Sequence, residues 1–291
     1  MSYGIRRREM LLGAGGLAAQ SRAAATPAPG VLKEALRYRK VDSHNHLMTP
    51  DPRKLIEAAD RLGIERVAIS LPLASTPDGF RKSNDAVLQA MRDYPKRLLG
   101  QCVINPAYQK ESIAEMTRCM DAGMIGLGEL YDQVKISDSL YYPIIEKCIE
   151  LKAPIMMHAR ADLGLLRKGY RLDAPPTTSV AADFVEAARR YPEAILIHGH
   201  IGGGGDWEYM CKTLRPAPSI YLDTSGSVTD EGMIEFAVRE LGVARLLFAT
   251  DLNFESGVGK ILAADLNEAQ RRAIFWDNFN NILRKRGNHA N

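Results

Sequence analysis

Between residues 40 and 286 the chain repeats one pattern eight times, a short β-branched or apolar run followed by a longer amphipathic one. The short runs are KVDSHNHL (40–47), RVAISLPL (66–73), LLGQCVIN (98–105), IGLGEL (125–130), PIMMHA (154–159), AILIHG (194–199), IYLDTS (220–225) and RLLFAT (245–250). The long runs are PRKLIEAADRLG, KSNDAVLQAMRDYP, KESIAEMTRCMDAG, LYYPIIEKCIELK, SVAADFVEAARRYP, DWEYMCKTLRP, DEGMIEFAVRELG and NEAQRRAIFWDNFNNILRKR. Apolar spacings of three and four, acidic or Ser/Thr starts and Gly or Pro stops mark the long runs as helices. Near-continuous apolar strands that alternate with helices require a parallel sheet covered on both faces. Eight such units predict an α/β chain folded as a (β/α)8 TIM barrel, regular or distorted. The rival, a doubly wound open sheet, lacks a Gly-x-Gly-x-x-Gly after the first strand.

At 291 residues, with 46% hydrophobic and 25% charged residues, one large barrel domain is the simplest organisation. The formal charge of +3 arises from 38 basic and 35 acidic residues dispersed along the chain, a distribution that excludes nucleic acid as a favoured partner. Cys102, Cys119, Cys148 and Cys211 are far apart and lack CxxC pairing. They read as small buried apolar residues, not as a disulfide framework or a zinc knuckle.

The first 30 residues follow a different plan. RRREMLLGAGGLAAQ sets a basic head before a short apolar run, and SRAAATPAPG adds Ala-x-Ala cleavage options. Arg7-Arg8-Glu9-Met10-Leu11 resembles the twin-arginine export signal, although Arg6 stands where Ser or Thr is usual. The expected organisation is therefore a signal peptide and leader over 1–30, then the barrel over 31–291, exported to the periplasm or beyond. No later apolar run approaches the roughly 18 residues of a spanning helix, so the mature chain is expected to be free of the membrane. A symmetric homo-oligomer is the prior expectation for its assembly.

The six histidines are not scattered. His44 and His46 occupy alternate positions of the first strand, His158 closes the fifth, and His198 and His200 close the sixth. Only His289, in the tail, stands apart, and Asp251 closes the eighth strand. Positions i and i+2 of a strand face one way, so His44 and His46 project together, toward the barrel mouth where enzymes of this fold place their chemistry. Imidazole nitrogens with carboxylate oxygens suit zinc or a related divalent ion, which lowers the pKa of bound water and polarises a carbonyl.

VDSHNHL, PIMMHAR, HIGGG and FATDL, in that order on strands one, five, six and eight, resemble the metal-dependent amidohydrolase superfamily. The match is to its amidohydrolase-related branch, which includes lactonases and non-oxidative decarboxylases, and it spans roughly residues 40–283. By that resemblance His44, His46 and His158 are metal ligands, and Asp251 is both ligand and general base. His200 is the electrophilic or ligating histidine before the Gly pair, with His198 the competitor for that role. Relatives with two metals bridge them from the fourth strand. There this chain offers Glu129, as a ligand, as a hydrogen-bond partner of a ligand histidine or as a salt-bridged barrel residue, which leaves one or two ions open.

Arg160 shares the face of His158 and is either a clamp for a substrate carboxylate or a solvated loop arginine. The connection RADLGLLRKGYRLDAPPTTS adds Arg167, Lys168 and Arg171, as a lid over an anionic substrate would. The Gly202–Gly205 run lacks a following Lys-Ser/Thr and reads as a flexible turn, not a phosphate cradle. The expected activity is metal-dependent hydrolysis of a small, carboxylated amide, lactone or ester, with zinc the leading metal. Decarboxylation or lyase chemistry at the same site is the alternative, and a non-catalytic ligand-binding barrel the reading from another class.

Overall fold

The computed structural model describes residues 29–49, 51–72, 75–131, 133–160 and 177–287. The expected export signal, His289, and Arg167, Lys168 and Arg171 of the expected lid lie outside them. All eight expected strands form: β1 (Lys40–His46), β2 (Ile64–Ser70), β3 (Leu98–Cys102), β4 (Gly126–Leu130), β5 (Ile155–Met157), then β8 (Leu196–His198), β9 (Ile220–Asp223) and β10 (Leu246–Leu247). Between β5 and β8, the two-residue strands β6 (Ala159–Arg160) and β7 (Ser179–Val180) pair with each other. The eight long-range strands are parallel and hydrogen-bonded in chain order.

Closure comes from the segment after β10. Ser43 N donates to Phe248 O at 2.9 Å and Asp251 N to His44 O at 2.9 Å, so the last strand's continuation lies along β1. The (β/α)8 barrel predicted from the alternation is thus nearly closed.

Around the sheet run α1 (Pro29–Leu36), α2 (Arg53–Arg61), α3 (Pro77–Asp93), α4 (Gln109–Asp121), α5 (Tyr142–Glu150), α6 (Ala181–Arg190), α7 (Trp207–Leu214), α8 (Met233–Leu241), α9 (Phe254–Ala263), α10 (Glu268–Arg272) and α11 (Asn278–Arg286). Polar starts fix several ends: Thr76 accepts from Gly79 N at 3.2 Å, with Pro77 opening α3, and Asp206 accepts from Tyr209 N at 2.9 Å. The single long helix expected over NEAQRRAIFWDNFNNILRKR is divided. A π-helical stretch, Ala273–Asp277, separates α10 from α11. The backbone has a reason to widen there, because Ile274 O accepts from Phe248 N at 3.1 Å and so serves the closing strand. Two helices were not read from the sequence. One is α9, whose Gly257 and Gly259 weaken the helical signal, and the other is α1, which straddles the expected leader boundary.

The core has two parts. A large cluster lies between strands and helices, and a smaller one gathers Val41, Ala68, Leu99, Ile125, Met156, Ile197 and Leu247 with Phe279, Ile282 and Leu283 of α11. The smaller cluster fills the barrel interior below the strand ends, and α11 plugs it. Each of these side chains larger than alanine contributes roughly 1.5–3 kcal/mol by leaving water. All four cysteines are buried and free, as expected. No helix among the described residues is long and apolar enough to cross a membrane.

Candidate metal centre

Above the apolar plug the interior turns polar within one residue step. Ala68 is followed on its face by Ser70, Met156 by His158, and Leu247, by way of Ala249, by Asp251. β1 departs from this alternation. Val41 faces the interior plug, so strict alternation would send His44 outward, but the β1–β2 register shifts between Asp42 and Asn45. The irregularity turns both His44 and His46 into the mouth. Asp42 holds the bend: its carboxylate accepts from His44 N at 3.1 Å, Asn45 Nδ2 at 3.0 Å, Thr250 N at 3.0 Å and Thr250 Oγ1 at 2.5 Å.

The histidines converge on Glu129, which is 1% exposed. Glu129 Oε2 lies 3.3 Å from His44 Nε2 and 3.1 Å from His46 Nε2. Its Oε1 lies 2.9 Å from His158 Nδ1 and 2.8 Å from His200 Nε2. Asp251 Oδ1 is 3.1 Å from His46 Nε2 and 4.0 Å from His44 Nε2, and Asp251 Oδ2 is 3.7 Å from His200 Nδ1. Each carboxylate oxygen of Glu129 therefore serves a different pair of imidazoles. Exposure grades the cluster from floor to mouth: Asp251 is 25% exposed and His158 16%, against 5% for His200 and 0% for His44.

Asp223, which closes β9, was missed in the sequence and organises two of these rings. Its Oδ2 is 2.8 Å from His44 Nδ1. Its Oδ1 accepts from His200 N at 3.0 Å, Ser225 N at 2.9 Å and Ser225 Oγ at 2.6 Å, while Ser225 Oγ is 2.8 Å from His200 Nδ1. A carboxylate accepts only, so Nδ1 of His44 carries the proton. Because Ser225 spends its own hydrogen on Asp223, it accepts from His200 Nδ1–H. Each ring thus turns its Nε2, the atom it would offer to an ion, toward Glu129. The signal for Asp223 was present, since IYLDTS ends in an acid as FATD does. Ser70 was missed as well: its Oγ accepts from Glu129 N at 3.0 Å and lies 3.2 Å from His46 Nδ1. Tyr131 stacks on His158, with ring centroids 4.4 Å apart and planes 13° apart.

The competing histidine is separated cleanly. His198 is on the outer face of β8, its ring 4.7 Å from Phe184 of α6 and its Nδ1 3.0 Å from Gly199 O, and burial pushes its pKa down to about 4. The i+2 rule had put both histidines on one face. It fails because β8 ends at His198 and His200 adopts φ +66°, a left-handed turn that swings its ring inward. Asp251 is turned likewise at φ +44°. The glycine run behaves differently from a flexible turn. Gly202 N donates to Ser225 O at 3.0 Å and Gly202 O accepts from Val228 N at 3.1 Å. A Cβ at Gly202 would come 2.7 Å from Val228 O, so glycine is there for close backbone approach. Arg160 is half-buried on β6, two residues beyond His158, and no contact joins it to the cluster among the described residues.

The electrostatics suit a cation. Burial opposes charge on His44, but Glu129 and Asp223 outweigh it and hold its pKa well above the ordinary imidazole value. Burial likewise opposes charge on Glu129, and His44 and His200 hold its pKa well below the usual range. Asp251 is lowered despite burial by His46 and His44. His44 Nε2 and Glu129 Oε2 are buried without a hydrogen-bond partner. Ligand atoms of His44, His46 and Asp251 converge within 4.8 Å of one another, as do those of Glu129, His158 and His200. Buried nitrogen and oxygen atoms facing each other at such separations fit a divalent ion that displaces the imidazole protons.

A family model described as Amidohydrolase matches residues 41–279. The chain belongs to the amidohydrolase family. The chain is 23% identical over 281 residues to the gamma-resorcylate decarboxylase of Polaromonas sp., covering 79% of this chain and 86% of that protein. It is 24% identical over 203 residues to the 2-amino-3-carboxymuconate-6-semialdehyde decarboxylase of Dictyostelium discoideum, covering 60% of this chain and 56% of that relative. Its fold is similar to that of a dihydroxybenzoic acid decarboxylase from Polaromonas sp. solved with manganese and the inhibitor 2-nitroresorcinol, with a TM-score of 0.67, 19% identity, and coverage of 85% of this chain and 97% of that one.

Proposed function

We propose that this member of the amidohydrolase family is a metal-dependent, non-oxidative decarboxylase of a small conjugated or aromatic carboxylic acid. This reverses the order expected from the sequence, where hydrolysis came first. Support for a metal centre rests on one observation: buried, unpartnered His44 Nε2 and Glu129 Oε2 face each other at 3.3 Å inside a ring of further ligand atoms. Support for decarboxylation comes from the two curated relatives, both of which cleave a carboxylate from a small acid. Manganese accompanies one similar structure, and a donor set of imidazoles and hard carboxylates suits manganese as well as zinc.

His44, His46, Glu129 and Asp251 would hold the ion, with His158 and His200 on the far oxygen of Glu129. When bound, the ion supplies a Lewis acid that fixes and polarises a substrate oxygen. The chain's own residues do the rest. Arg160, at the mouth, is assigned to the substrate's anionic end. Asp251, the most exposed acid of the cluster, would take a proton from solvent water at the mouth and deliver it to the carbon that loses carbon dioxide. The carbon–carbon bond breaks with its electron pair left on that carbon, and the pair takes the proton. His200, fixed through Ser225 and Asp223, stabilises negative charge as it develops.

Hydrolysis is retained as a second reading by one observation. Glu129 presents a separate oxygen to each histidine pair, an arrangement that would let two ions share it and clamp both oxygens of a displacement. The test is incubation of metal-loaded protein with hydroxylated aromatic acids, unsaturated carboxylates, lactones and amides, with released carbon dioxide and bound metal both measured. Carbon dioxide release that is lost in His44→Ala/His46→Ala together with the metal is expected. Lactone or amide turnover without carbon dioxide would overturn decarboxylation, and stoichiometric metal in the double variant would overturn the site.

A further inference from the structure

Lys260 is a buried cation that the chemistry above leaves unused. It lies on α9, and its Nζ donates to Thr224 O at 3.2 Å and Gly226 O at 2.5 Å. Those two carbonyls flank Ser225, whose hydroxyl meets His200 Nδ1, and they follow directly on Asp223, which meets His44. The turn they belong to is bonded to the His200 segment along its length. Ile201 N donates to Asp223 O at 3.1 Å, Gly202 N to Ser225 O at 3.0 Å and Val228 N to Gly202 O at 3.1 Å. Gly226 presses on Gly202 so closely that a Cβ at Gly226 would lie 2.3 Å from the Gly202 carbonyl carbon.

His200 sits in this clasp at φ +66°, a conformation that a non-glycine residue keeps only when its surroundings over-determine it. An apolar side chain at 260 would leave both carbonyls without that donor, at a cost that burial makes steep. Desolvation lowers the Lys260 pKa to about 8, so the ammonium form is kept near neutral pH despite its burial. The helix that carries Lys260 also follows directly on the segment bearing Asp251. One side chain thereby ties the eighth-strand side of the site to the sixth and seventh.

We propose that Lys260 is a positioning residue: it clamps the 224–226 turn and, through Ser225 and Asp223, sets the orientation of His200 and His44. The consequence for turnover rests on the metal-dependent reading, whereas the clamp itself does not.

Hydrogen–deuterium exchange of the full chain, wild type against Lys260→Met, separates the two. Lys212→Met, an exposed lysine of α7, is the control. In Lys260→Met, peptides covering 199–205 and 223–229 should exchange at least about tenfold faster, with β1–β4 within about twofold of wild type. Lys260→Arg, which keeps a charged donor, should restore most of the protection. With whichever acid is turned over, Lys260→Met should lower kcat while KM stays within about threefold, and Arg should recover kcat. Unchanged exchange in both peptides, or a rise spread evenly over the barrel, would overturn the clamp. Should Lys260→Met not fold, Lys260→Gln, neutral and one atom shorter, is read by the same peptides and the same criterion. A wild-type protein with neither bound ion nor turnover would end the metal-dependent reading and leave the exchange result to decide the clamp.

Discussion

Asp223→Asn is the sharpest single perturbation of the centre, because it changes one atom and no volume. The native carboxylate accepts on both sides: from His44 Nδ1 on Oδ2, and from His200 N, Ser225 N and Ser225 Oγ on Oδ1. An amide accepts on one side only. If its oxygen keeps the three donors, its NH2 faces His44 Nδ1, and the ring must accept there and carry its proton on Nε2, the nitrogen turned toward Glu129. If the amide flips, His44 keeps its tautomer but three donors lose their acceptor. Either outcome costs about 1–3 kcal/mol, in line with the roughly 10–100-fold losses in metal affinity that follow removal of a ligand's orienting partner. Chelator-competition titration of manganese or zinc near neutral pH should therefore show affinity about 10–100-fold weaker in Asp223→Asn, with the fold intact by circular dichroism. Affinity within about threefold of wild type would refute the tautomer assignment and with it the role given to Asp223.

Proton competition sets the pH dependence of loading. His44 is held well above its ordinary value in the metal-free protein, so an ion must displace its proton, and affinity should rise with pH until that raised pKa is passed. The metal-free protein should behave oppositely at the alkaline end. The His44 contribution to stability is complete below the ordinary imidazole pKa of about 6.5 and is lost as pH climbs through the raised folded value. The Glu129 contribution is complete above the ordinary carboxylate range and is lost as pH falls through its depressed folded value. Thermal melts in chelator should show Tm falling on both sides, and a Tm that does not fall at alkaline pH would contradict the His44–Glu129–Asp223 network. His198→Gln should leave metal content unchanged; loss of metal in that variant, measured by elemental analysis, would reverse the choice between His198 and His200.

Much of the molecule is legible in one dimension because its determinants are local. Alternating apolar runs define eight strands, and the i+2 rule pairs His44 with His46. Both follow from backbone geometry within a few residues. Asp251 at the end of FATD and His158 at the end of PIMMHA were found by the same strand-end rule. That rule, applied to IYLDTS, would have reached Asp223. What it could not reach is direction at the points where the strands stop being regular. His198 and His200 are equivalent in an ideal strand, and only a left-handed residue tells them apart.

The sequence by itself determined the barrel, the family and the set of residue types at its mouth, since period, order and spacing are properties of the chain. The tertiary structure decided which atoms meet. The β1 register shift, the turn at His200 and the approach of β9 bring Glu129 between four imidazoles and Asp223 beneath two of them. Those contacts join residues 23 to 179 positions apart. Their geometry is set by closure of the sheet, which no local pattern encodes.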